Sequence, residues 1–464
     1  METDSVTHPD PSIFRAYDIR GIVDASLTET AVNQIGRAFA AAALARGQTA
    51  VVVGRDGRLS GPRLLAALIE GLRAGGLDVI DIGLAPTPVV YFGAFHFGTH
   101  TCIAVTGSHN PPDYNGLKLV IGGETLHGEA IQDLYRRLVA GDFSSGAGAL
   151  RQETINAAYI ERIAGDIRPA RPMKLAIDCG NGVAGAIAPD LLRAIGGEVT
   201  ELYCEVDGQF PNHHPNPSVP ANLADLSATV TGQSLELGLA FDGDGDRLGV
   251  VDGQGNIIWA DRQMMLYAAD VLERQPGAMV IFDIKCSRKL ADVIREHGGE
   301  PLMWRTGHSL IKAKMQATGA PLAGEMSGHI FFKERWYGFD DALYTAARLI
   351  EILSRQANSP REVFAALPNT LNTPELNLEF AEEGAHVAFV EQLKARADFA
   401  DAELTTIDGL RVDYPWGWGL VRPSNTTPSL VIRFEADTQA HLETIQSRFR
   451  EAMLQIQADL ALPF

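Results

Sequence analysis

The amino-acid sequence predicts an α/β protein of three related domains with mixed sheets, followed by a smaller α+β domain, all placed around a central cleft. Three observations carry this prediction. A strand–loop–helix–strand unit occurs three times, the pattern changes after residue 368, and each predicted domain contributes one loop rich in functional side chains. The 464 residues leave room for several domains of roughly 150 residues each, and an apolar fraction of 46% lets each domain build a core.

The repeated unit contains a pair of glycines. Each copy starts with an apolar strand, passes through a polar loop into a helix and returns, after Gly-Gly, in a second strand. The predicted first strands are 51–54, 173–177 and 278–282, and the second strands are 77–82, 198–203 and 300–304. The glycine pairs lie 121 and then 102 residues apart, which indicates three related domains with parallel or mixed sheets.

The predicted domain boundaries follow this spacing. We place the domains at residues 1–148, 149–254, 255–367 and 368–464. The Gly- and Ser-rich segment 141–148 is typical of a linker. The last domain differs from the others, because it combines strands at 376–380 and 430–434 with a long amphipathic C-terminal helix whose apolar stripe we expect to face a core.

Composition and charge argue against several classes of partner. The chain has 39 basic and 58 acidic residues and a net charge of −19, whereas nucleic acids and anionic membranes require a basic surface. The four cysteines form no Cys-x-x-Cys pair, so structural zinc and a disulfide framework are not expected. No apolar run approaches the ~18 residues of a membrane span, and no signal peptide is evident. We therefore expect a cytoplasmic protein.

The first functional loop spans 106–118 and reads Thr-Gly-Ser-His-Asn-Pro-Pro-Asp-Tyr-Asn-Gly-Leu-Lys. It follows the apolar run 102–105, and its turn-forming residues end that strand. Ser108 is a candidate nucleophile, with His109 and Lys118 as candidate activators. Alternatively, Ser108 only caps the turn through its hydroxyl group, and this loop alone favours that interpretation. Three further loops change the balance.

The second loop, 242–247, reads Asp-Gly-Asp-Gly-Asp-Arg between two apolar runs. The carboxylates of Asp242, Asp244 and Asp246 would raise one another's pKa values if left alone. A hard divalent cation explains the cluster, and Mg²⁺ with a phosphate as a further ligand fits best. An EF-hand does not fit, because its sixth position would be Arg247 and its twelfth Gly253. A solvated acidic turn is the remaining alternative, which the flanking apolar strands disfavour.

The third loop, 324–329, reads Gly-Glu-Met-Ser-Gly-His. In an extended segment the side chains of Glu325, Ser327 and His329 would face one way. Glutamate and serine offer acceptors for sugar hydroxyl groups, and histidine can move a proton near neutral pH. Taken alone, an ordinary turn with a surface histidine is an equally good interpretation.

The fourth loop, 422–428, reads Arg-Pro-Ser-Asn-Thr-Thr-Pro and contains no carboxylate. Arginine binds phosphate through two parallel hydrogen bonds, and hydroxyl groups and loop amides add further donors. We interpret the loop as a phosphate site, with a polar turn between strands as the alternative. One such loop in each of four domains indicates a single cleft where the domains meet.

Together the four loops resemble the motifs of the α-D-phosphohexomutase family, and closely those of its bacterial phosphomannomutase/phosphoglucomutase branch. They are Thr-Gly-Ser-His-Asn-Pro from residue 106, Asp-Gly-Asp-Gly-Asp-Arg from 242, Gly-Glu-Met-Ser-Gly-His from 324 and Arg-Pro-Ser-Asn-Thr-Thr-Pro from 422. The motifs occur in the family's order without a break. The resemblance covers essentially the whole chain.

The resemblance implies a role for each loop. Ser108 would be the phosphoserine that donates and recovers a phosphoryl group. The three aspartates would hold Mg²⁺ together with a phosphoserine oxygen, so that Ser108 also belongs to the metal site. Glu325 and Ser327 would bind the O3 and O4 hydroxyl groups of the sugar. The phosphate that is not transferred would be bound by Arg422, Ser424, Asn425 and Thr426.

The same resemblance gives roles to residues outside the loop centres. Charge around the reacting phosphoryl group would be neutralised by Arg20, Lys118 and Arg247. General acid and base chemistry would fall to His329, His109 or Lys118, and the sequence does not choose among them. Three more residues match family positions in the cleft, namely Tyr17, Lys285 and His308.

The implied activity is the interconversion of hexose 1-phosphates and hexose 6-phosphates of glucose and mannose. It would proceed through a 1,6-bisphosphate, with glucose 1,6-bisphosphate as activator and intermediate. Small-molecule hexose phosphates would be the ligands, a monomer is the family-like state, and precursors of nucleotide sugars and exopolysaccharides are the expected products.

Two other functions are weighed against this one. Within the family, phosphoglucosamine mutase is the alternative, but that branch of the family usually has Gln in place of Met326 and Ala in place of Gly107, and both positions favour the glucose/mannose branch. A non-catalytic protein that binds phosphosugars or Ca²⁺ is the alternative from another class. The intact Ser108, Lys118 and His329 argue against it.

Overall fold

The computed structural model of the chain describes residues 8–382, 384–396, 398–425 and 427–464. Four sheets follow one another along these residues, with seven, five, four and six strands. The first three sheets contain both parallel and antiparallel strand pairs, and the fourth is antiparallel. The predicted fold class, α/β with a smaller α+β domain at the C-terminal end, is confirmed. None of the described helices is long and apolar enough to cross a membrane.

The first sheet carries the serine loop. Its strands are β1 (Ile19–Ile22), β2 (Ala50–Arg55), β3 (Asp78–Leu84), β4 (Cys102–Val105), β5 (Tyr114–Ile121), β6 (Glu124–Thr125) and β7 (Leu150–Gln152). The helices are α1 (Glu29–Ala45), α2 (Gly61–Ala74), α3 (Thr87–His96) and α4 (Glu129–Val139). The strand order is β1-β5-β4-β2-β3-β7, with β6 on β5. The serine loop joins β4 to β5, an antiparallel pair. Strand β7 extends this sheet beyond residue 148, and the domain boundaries stay a prediction.

The second sheet carries the aspartate loop. Its strands are β8 (Met173–Asp178), β9 (Gly197–Leu202), β10 (Leu237–Phe241), β11 (Leu248–Asp252) and β12 (Ile257–Ile258). The helices are α5 (Asn156–Asp166), α6 (Ala188–Ala194) and α7 (Ala224–Gly232). The strand order is β12-β11-β10-β8-β9. Strands β10 and β11 are fully buried, so the loop between them projects from the centre of the sheet.

The third sheet carries the loop of Glu325. Its strands are β13 (Met279–Asp283), β14 (Glu300–Trp304), β15 (Leu322–Gly324) and β16 (Ile330–Phe332). The helices are α8 (Ala260–Arg274), α9 (Arg288–Glu296), α10 (His308–Thr318), α11 (Ala342–Ser354) and α12 (Pro360–Ala366). The strand order is β14-β13-β15-β16. In each of the first three sheets, the two strands of the repeated unit are parallel neighbours, as the repeat predicts.

The fourth sheet carries the loop of Arg422. Its strands are β17 (Leu371–Asn372), β18 (Leu376–Glu379), β19 (Glu403–Thr405), β20 (Leu410–Tyr414), β21 (Gly417–Pro423) and β22 (Ser429–Ala436), and its helices are α13 (Ala385–Arg396) and α14 (Gln439–Ile456). Helix α14 buries Leu442, Ile445, Phe449 and Met453 in the core of this domain, which confirms that its apolar stripe faces a core.

Contacts between neighbouring domains bring the loop-bearing edges together. The amide of Thr87 donates to the carbonyl oxygen of Asp244 at 2.9 Å, which joins the first domain to the second. The amide of Leu248 donates to the carbonyl oxygen of Gly328 at 3.1 Å, which joins the second to the third. Arg411 of the fourth domain donates to the carbonyl oxygen of Ile284 in the third at 2.6 Å. One apolar core also runs through the first three domains.

Candidate active site

Ser108 lies in a constrained turn at the end of β4. Its backbone has a φ of 49°, in the left-handed region that a residue with a side chain rarely adopts. Its Oγ lies 3.1 Å from Nδ1 of His109 and 3.3 Å from Oδ2 of Asp242. The structure therefore brings the predicted serine to the predicted aspartate loop across a domain boundary. A Cβ atom on Gly243 would lie 2.3 Å from the carbonyl oxygen of Ser108, so this close approach requires glycine.

Arg58 holds the serine loop in place, and sequence reasoning missed it. Its buried guanidinium group donates to the carbonyl oxygen of Ser108 at 2.9 Å and to three other carbonyl oxygens of the loop, at Asn110, Pro111 and Tyr114. An ion pair with Asp56 at 3.2 Å orients it. A Cβ atom on Gly107 would lie 2.2 Å from Nε of Arg58, which explains the glycine beside the serine. The only signal in the sequence is the charged segment 55–58 at the end of β2.

We expect the substitution Arg58→Lys to destabilise the protein by about 2–4 kcal/mol, because lysine cannot serve four carbonyl oxygens and leaves buried acceptors without donors. Chemical denaturation measures this loss of unfolding free energy. Arg46→Lys is the matched control, since its ion pair with Glu124 is solvent-exposed and is worth little. Equal stability of the two variants would contradict the role given to Arg58.

The three aspartates of the second loop converge. Asp242, Asp244 and Asp246 are all fully buried, and oxygens from the three carboxylates lie within 4.8 Å of one another. Burial and the neighbouring charges of Asp246 and Asp244 hold the pKa of Asp242 well above its usual range. Thr87 donates to Oδ2 of Asp244 at 2.6 Å, whereas Oδ1 of Asp244 has no partner among the described residues. Such a cluster can accept a divalent cation.

Lys118 lies against this cluster from strand β5. Its ammonium group donates to Oδ2 of Asp244 at 2.7 Å and also contacts Asp246. Burial lowers the pKa of Lys118, but the attraction of Asp244 and Asp246 outweighs burial and raises it overall. Lys118 is therefore a fixed positive charge beside the serine, and the contacts do not favour it as a proton acceptor.

His329 links the second and third loops. Its Nδ1 lies 3.0 Å from Oε2 of Glu325, and its Nε2 lies 3.1 Å from Oδ1 of Asp246. Burial lowers the pKa of His329, but Asp246 and the hydrogen bonds to the two carboxylates raise it overall to about 9. Of the two conformations considered for 325–329, the structure has the turn. The segment is a turn closed by the amide of Gly328 donating to the carbonyl oxygen of Glu325 at 3.0 Å, because glycine accepts the φ of 98° found there.

The raised pKa of His329 predicts a pH-dependent stability of the metal-free protein. The histidine is charged and paired below the pKa of about 6.5 that it has when unfolded, and this contribution is lost as the pH rises through about 9. We expect the wild type to lose up to about 3 kcal/mol of unfolding free energy across this window relative to His329→Gln. Urea unfolding in the presence of a chelator measures the difference. Parallel stability curves for the two proteins would refute the prediction.

The other cleft residues surround this centre. Arg20 donates to the carbonyl oxygen of Gly107 at 2.8 Å and pairs with Asp18. The ring of Tyr17 packs against the ring of His308, with centroids 5.7 Å apart. Burial and the charges of Lys312 and Lys118 hold the pKa of His308 well below its usual range.

Asp340 is a second residue that sequence reasoning missed. It is fully buried, and its Oδ1 accepts from Lys312 at 2.9 Å. Its Oδ2 lies 3.8 Å from Nδ1 of His308 and 4.0 Å from Nε2 of His329. The residue lies outside the four recognised loops, and only the folded chain places its carboxylate between two histidines.

The fourth loop and Lys285 face each other across the third and fourth domains. Arg422 is buried and paired with Asp408, whose Oδ2 lies 3.1 Å from its Nε. Lys285 donates to Oε1 of Glu375 at 2.6 Å. Burial raises the pKa of Tyr17 in the first domain, and the nearby side chain of Asn425 acts against this shift. Ser424 lies in the loop, and Thr426 lies outside the described residues.

A cleft of about 270 Å³ connects the first three loops with the fourth. Eight predicted residues line it, namely Tyr17, Arg20, Ser108, His109, Lys118, Arg247, His308 and His329. Thr427 of the fourth loop lines the same cleft, whereas Lys285, Glu325 and Arg422 do not line it. The serine and a row of cations thus share one space, and the carboxylate cluster is buried beside it, with Asp242 3.3 Å from Oγ of Ser108. This arrangement is suited to phosphoryl transfer.

Comparison with known proteins agrees with this site. Models of the phosphoglucomutase/phosphomannomutase family match all four domains: α/β/α domain I at residues 11–145, domain II at 157–255, domain III at 259–371 and the C-terminal domain at 375–452. The fold and the site define a phosphohexomutase, an enzyme that moves a phosphoryl group within a sugar phosphate. The chain belongs to the α-D-phosphohexomutase family, in its bacterial phosphoglucomutase/phosphomannomutase branch.

Individual relatives are similar over nearly the whole chain. A phosphomannomutase/phosphoglucomutase of Pseudomonas aeruginosa PAO1 is 55% identical over 453 residues, which cover 98% of each chain. A phosphoglucomutase of Neisseria gonorrhoeae is 55% identical over 441 residues, covering 94% of this chain and 96% of that one. A crystal structure of a phosphoglucomutase/phosphomannomutase family protein from Burkholderia thailandensis is 54% identical, with a TM-score of 0.94 over 98% of this chain and all of that one.

Proposed function

We propose that the chain interconverts the 1-phosphates and 6-phosphates of glucose and mannose through a phosphoserine at Ser108 and a 1,6-bisphosphate intermediate. The position of Ser108 carries this proposal, because its Oγ lies 3.3 Å from Asp242 in a cleft lined by Lys118 and Arg247. The relatives named for both sugars support the choice of substrates.

The carboxylate cluster fits Mg²⁺ as the cofactor. Its donors are all oxygen atoms, and the unpartnered Oδ1 of Asp244 is buried and available as a ligand. Asp242, Asp244 and Asp246 would hold the ion together with an oxygen of phosphorylated Ser108. When bound, Mg²⁺ would stabilise the negative charge that develops on the phosphoryl oxygens.

The residues around Ser108 support a transfer in which positioning and charge do most of the chemistry. The bond between phosphorus and Oγ of Ser108 breaks as O6 of a hexose 1-phosphate bonds to the phosphorus. Lys118, Arg247 and Arg20 stabilise the charge of the phosphoryl group in flight. The resulting 1,6-bisphosphate then turns over in the cleft and returns its other phosphate to Ser108, which leaves hexose 6-phosphate.

His329 is the residue that we assign as general base. It lies in the cleft between two carboxylates, while Lys118 is held charged by the aspartates. Neutralisation of the Asp246 charge by a cation held by the aspartates would weaken the main attraction that raises the pKa of His329. The neutral ring can then accept the proton of the attacking hydroxyl group. The same ring returns a proton in the second half of the reaction.

A second set of residues would hold the sugar and the phosphate that is not transferred. Glu325 and Ser327 would bind the O3 and O4 hydroxyl groups. The phosphate would be bound by Arg422, Ser424, Asn425 and Thr426, with Tyr17, Lys285 and His308 nearby. The substrate phosphate would exchange with Asp408 on the Arg422 guanidinium group, which already presents two donors in one plane.

A ³¹P NMR competition tests the proposed function. The protein is mixed with Mg²⁺, a trace of glucose 1,6-bisphosphate, and the 1-phosphates of glucose, mannose and glucosamine. We expect the glucose and mannose compounds to become 6-phosphates well before the glucosamine compound. Faster conversion of glucosamine 1-phosphate would identify a phosphoglucosamine mutase. No conversion with Ser108 phosphorylated would leave only a phosphosugar-binding protein.

A further inference from the structure

Two cysteines that are distant in sequence meet beside the second sheet. Cys179 directly follows β8, and Cys204 follows β9, its parallel neighbour. Their Sγ atoms lie 3.5 Å apart, and all four cysteines of the chain are free thiols. Sequence reasoning missed this pair, because its members lie 25 positions apart along the chain. Only the alignment of Asp178 with Leu202 across the two strands brings them together.

The two thiols differ in their access to solvent. Cys179 is fully buried, whereas Cys204 is partly exposed at the surface of the domain. The contact with Cys204 and burial hold the pKa of Cys179 well above its usual range. A small oxidant would therefore reach Cys204 first, and Cys179 lies behind it as the second thiol. Cys102 and Cys286 are buried elsewhere in the fold.

The surroundings of the pair allow the two sulfur atoms to come within bonding distance. A disulfide requires the sulfur atoms to lie about 2.05 Å apart, so they must move closer by roughly 1.5 Å. Cys204 lies in the irregular segment after β9, next to Tyr203, whose φ of 51° is in the left-handed region. Because the Sγ atoms are already 3.5 Å apart, rotation of the two cysteine side chains can supply the movement.

We propose that Cys179 and Cys204 are a redox modification site that forms a reversible disulfide on exposure to a hydroperoxide. The Cys204 thiolate attacks the peroxide, forms a sulfenic acid and releases water or an alcohol. The Cys179 sulfur then attacks the sulfenic sulfur, an S–S bond forms, and the hydroxide that leaves takes up the Cys179 proton as water. Two thiols are oxidised by two electrons, the peroxide is reduced, and a dithiol reductant reverses the change.

The site lies close to the aspartate loop without belonging to it. The amide of Val183 donates to the carbonyl oxygen of Gly243 at 3.1 Å, and the side chain of Asn181 donates to the carbonyl oxygen of Glu205 at 2.9 Å. The segment after Cys179 therefore contacts both the aspartate loop and the segment that carries Cys204. A disulfide would fasten these two segments to each other.

Peptide mass spectrometry of the folded, full-length protein after brief treatment with hydrogen peroxide tests the proposal. We expect the wild type to lose two of its four free thiols and to yield a crosslinked peptide pair containing Cys179 and Cys204, which dithiothreitol separates. Cys204→Ser should keep Cys179 reduced, and Cys179→Ala should leave a sulfenic acid on Cys204 that dimedone labels. Cys102→Ser is the matched control and should crosslink like the wild type.

Three results would overturn the proposal. One is a wild-type protein in which Cys204 is oxidised to a sulfinic acid without any crosslink. Another is a crosslink that forms only after the protein is denatured. The third is dimedone labelling of Cys179 in place of Cys204. None of these readouts depends on mutase activity, so the site and the proposed function can fail separately.

Discussion

Replacing Ser108 with alanine is expected to lower kcat by about 10⁴-fold or more, because the reaction loses the atom that carries the phosphoryl group. The loop itself should survive, since its fold depends on hydrogen bonds from Arg58 to main-chain oxygens, including that of Ser108. Turnover of glucose 1-phosphate and incorporation of phosphate into the protein measure the effect. Both should be lost together.

The matched control for this variant is Ser144→Ala. Ser144 lies in the predicted linker 141–148 and does not line the cleft, and its hydroxyl group donates to the carbonyl oxygen of Gly75. We expect this variant to keep turnover within a few-fold of the wild type. Affinity for a hexose phosphate should be retained in both variants. If Ser108→Ala kept turnover within about tenfold of the wild type, the phosphoserine mechanism would have to be abandoned.

Asp244→Asn is expected to have the second largest effect, raising the Mg²⁺ concentration needed for half-maximal turnover by about 100-fold or more. The amide would remove one charge from the ligand set and would take away a partner that holds Lys118 at 2.7 Å. Titration of turnover with Mg²⁺, starting from chelator-treated protein, measures the shift. Chelation alone should abolish turnover of the wild type, and added Mg²⁺ should restore it.

Asp252→Asn is the control for the metal experiment. Asp252 is also a buried aspartate at the end of β11, but its carboxylate accepts from the turn amides of Gln254 and Asn256 at 2.9 Å each. Its replacement should leave the Mg²⁺ titration unchanged. A wild-type titration curve for Asp244→Asn would show that the cluster is not the metal site.

The sequence was sufficient for the architecture because the repeated unit encodes it locally. Apolar strand, turn residues, amphipathic helix and double glycine recur with a spacing that no single sheet would produce, and strand β14 matches its predicted range, 300–304. The antiparallel edge of each sheet was not predictable in the same way. Pairing of β10 with β11, for example, depends on the turn that the aspartate loop makes.

The loops were predictable because each combines unusual residue types within a few positions. The residues that hold those loops in place were not predictable, because they lie far from the loops along the chain. Arg58 reaches a carbonyl oxygen 50 residues away, and Asp408 pairs with Arg422 from a different turn. Asp340 contributes through its position between two histidines and its ion pair with Lys312. No local pattern distinguishes such residues from ordinary surface charges.

The ion pairs of Arg422 and Lys285 have a consequence for ligand exchange. Before any substrate is present, Arg422 pairs with Asp408 and Lys285 pairs with Glu375. These two carboxylates therefore take the place that a substrate phosphate would occupy. An incoming phosphate swaps one charged partner for another and gains only the difference between the two. When it departs, the internal carboxylates stabilise the vacated cations. The enzyme can thereby release and recapture a bisphosphate end by end at little net cost, because Arg422 and Lys285 keep a charged partner at every stage.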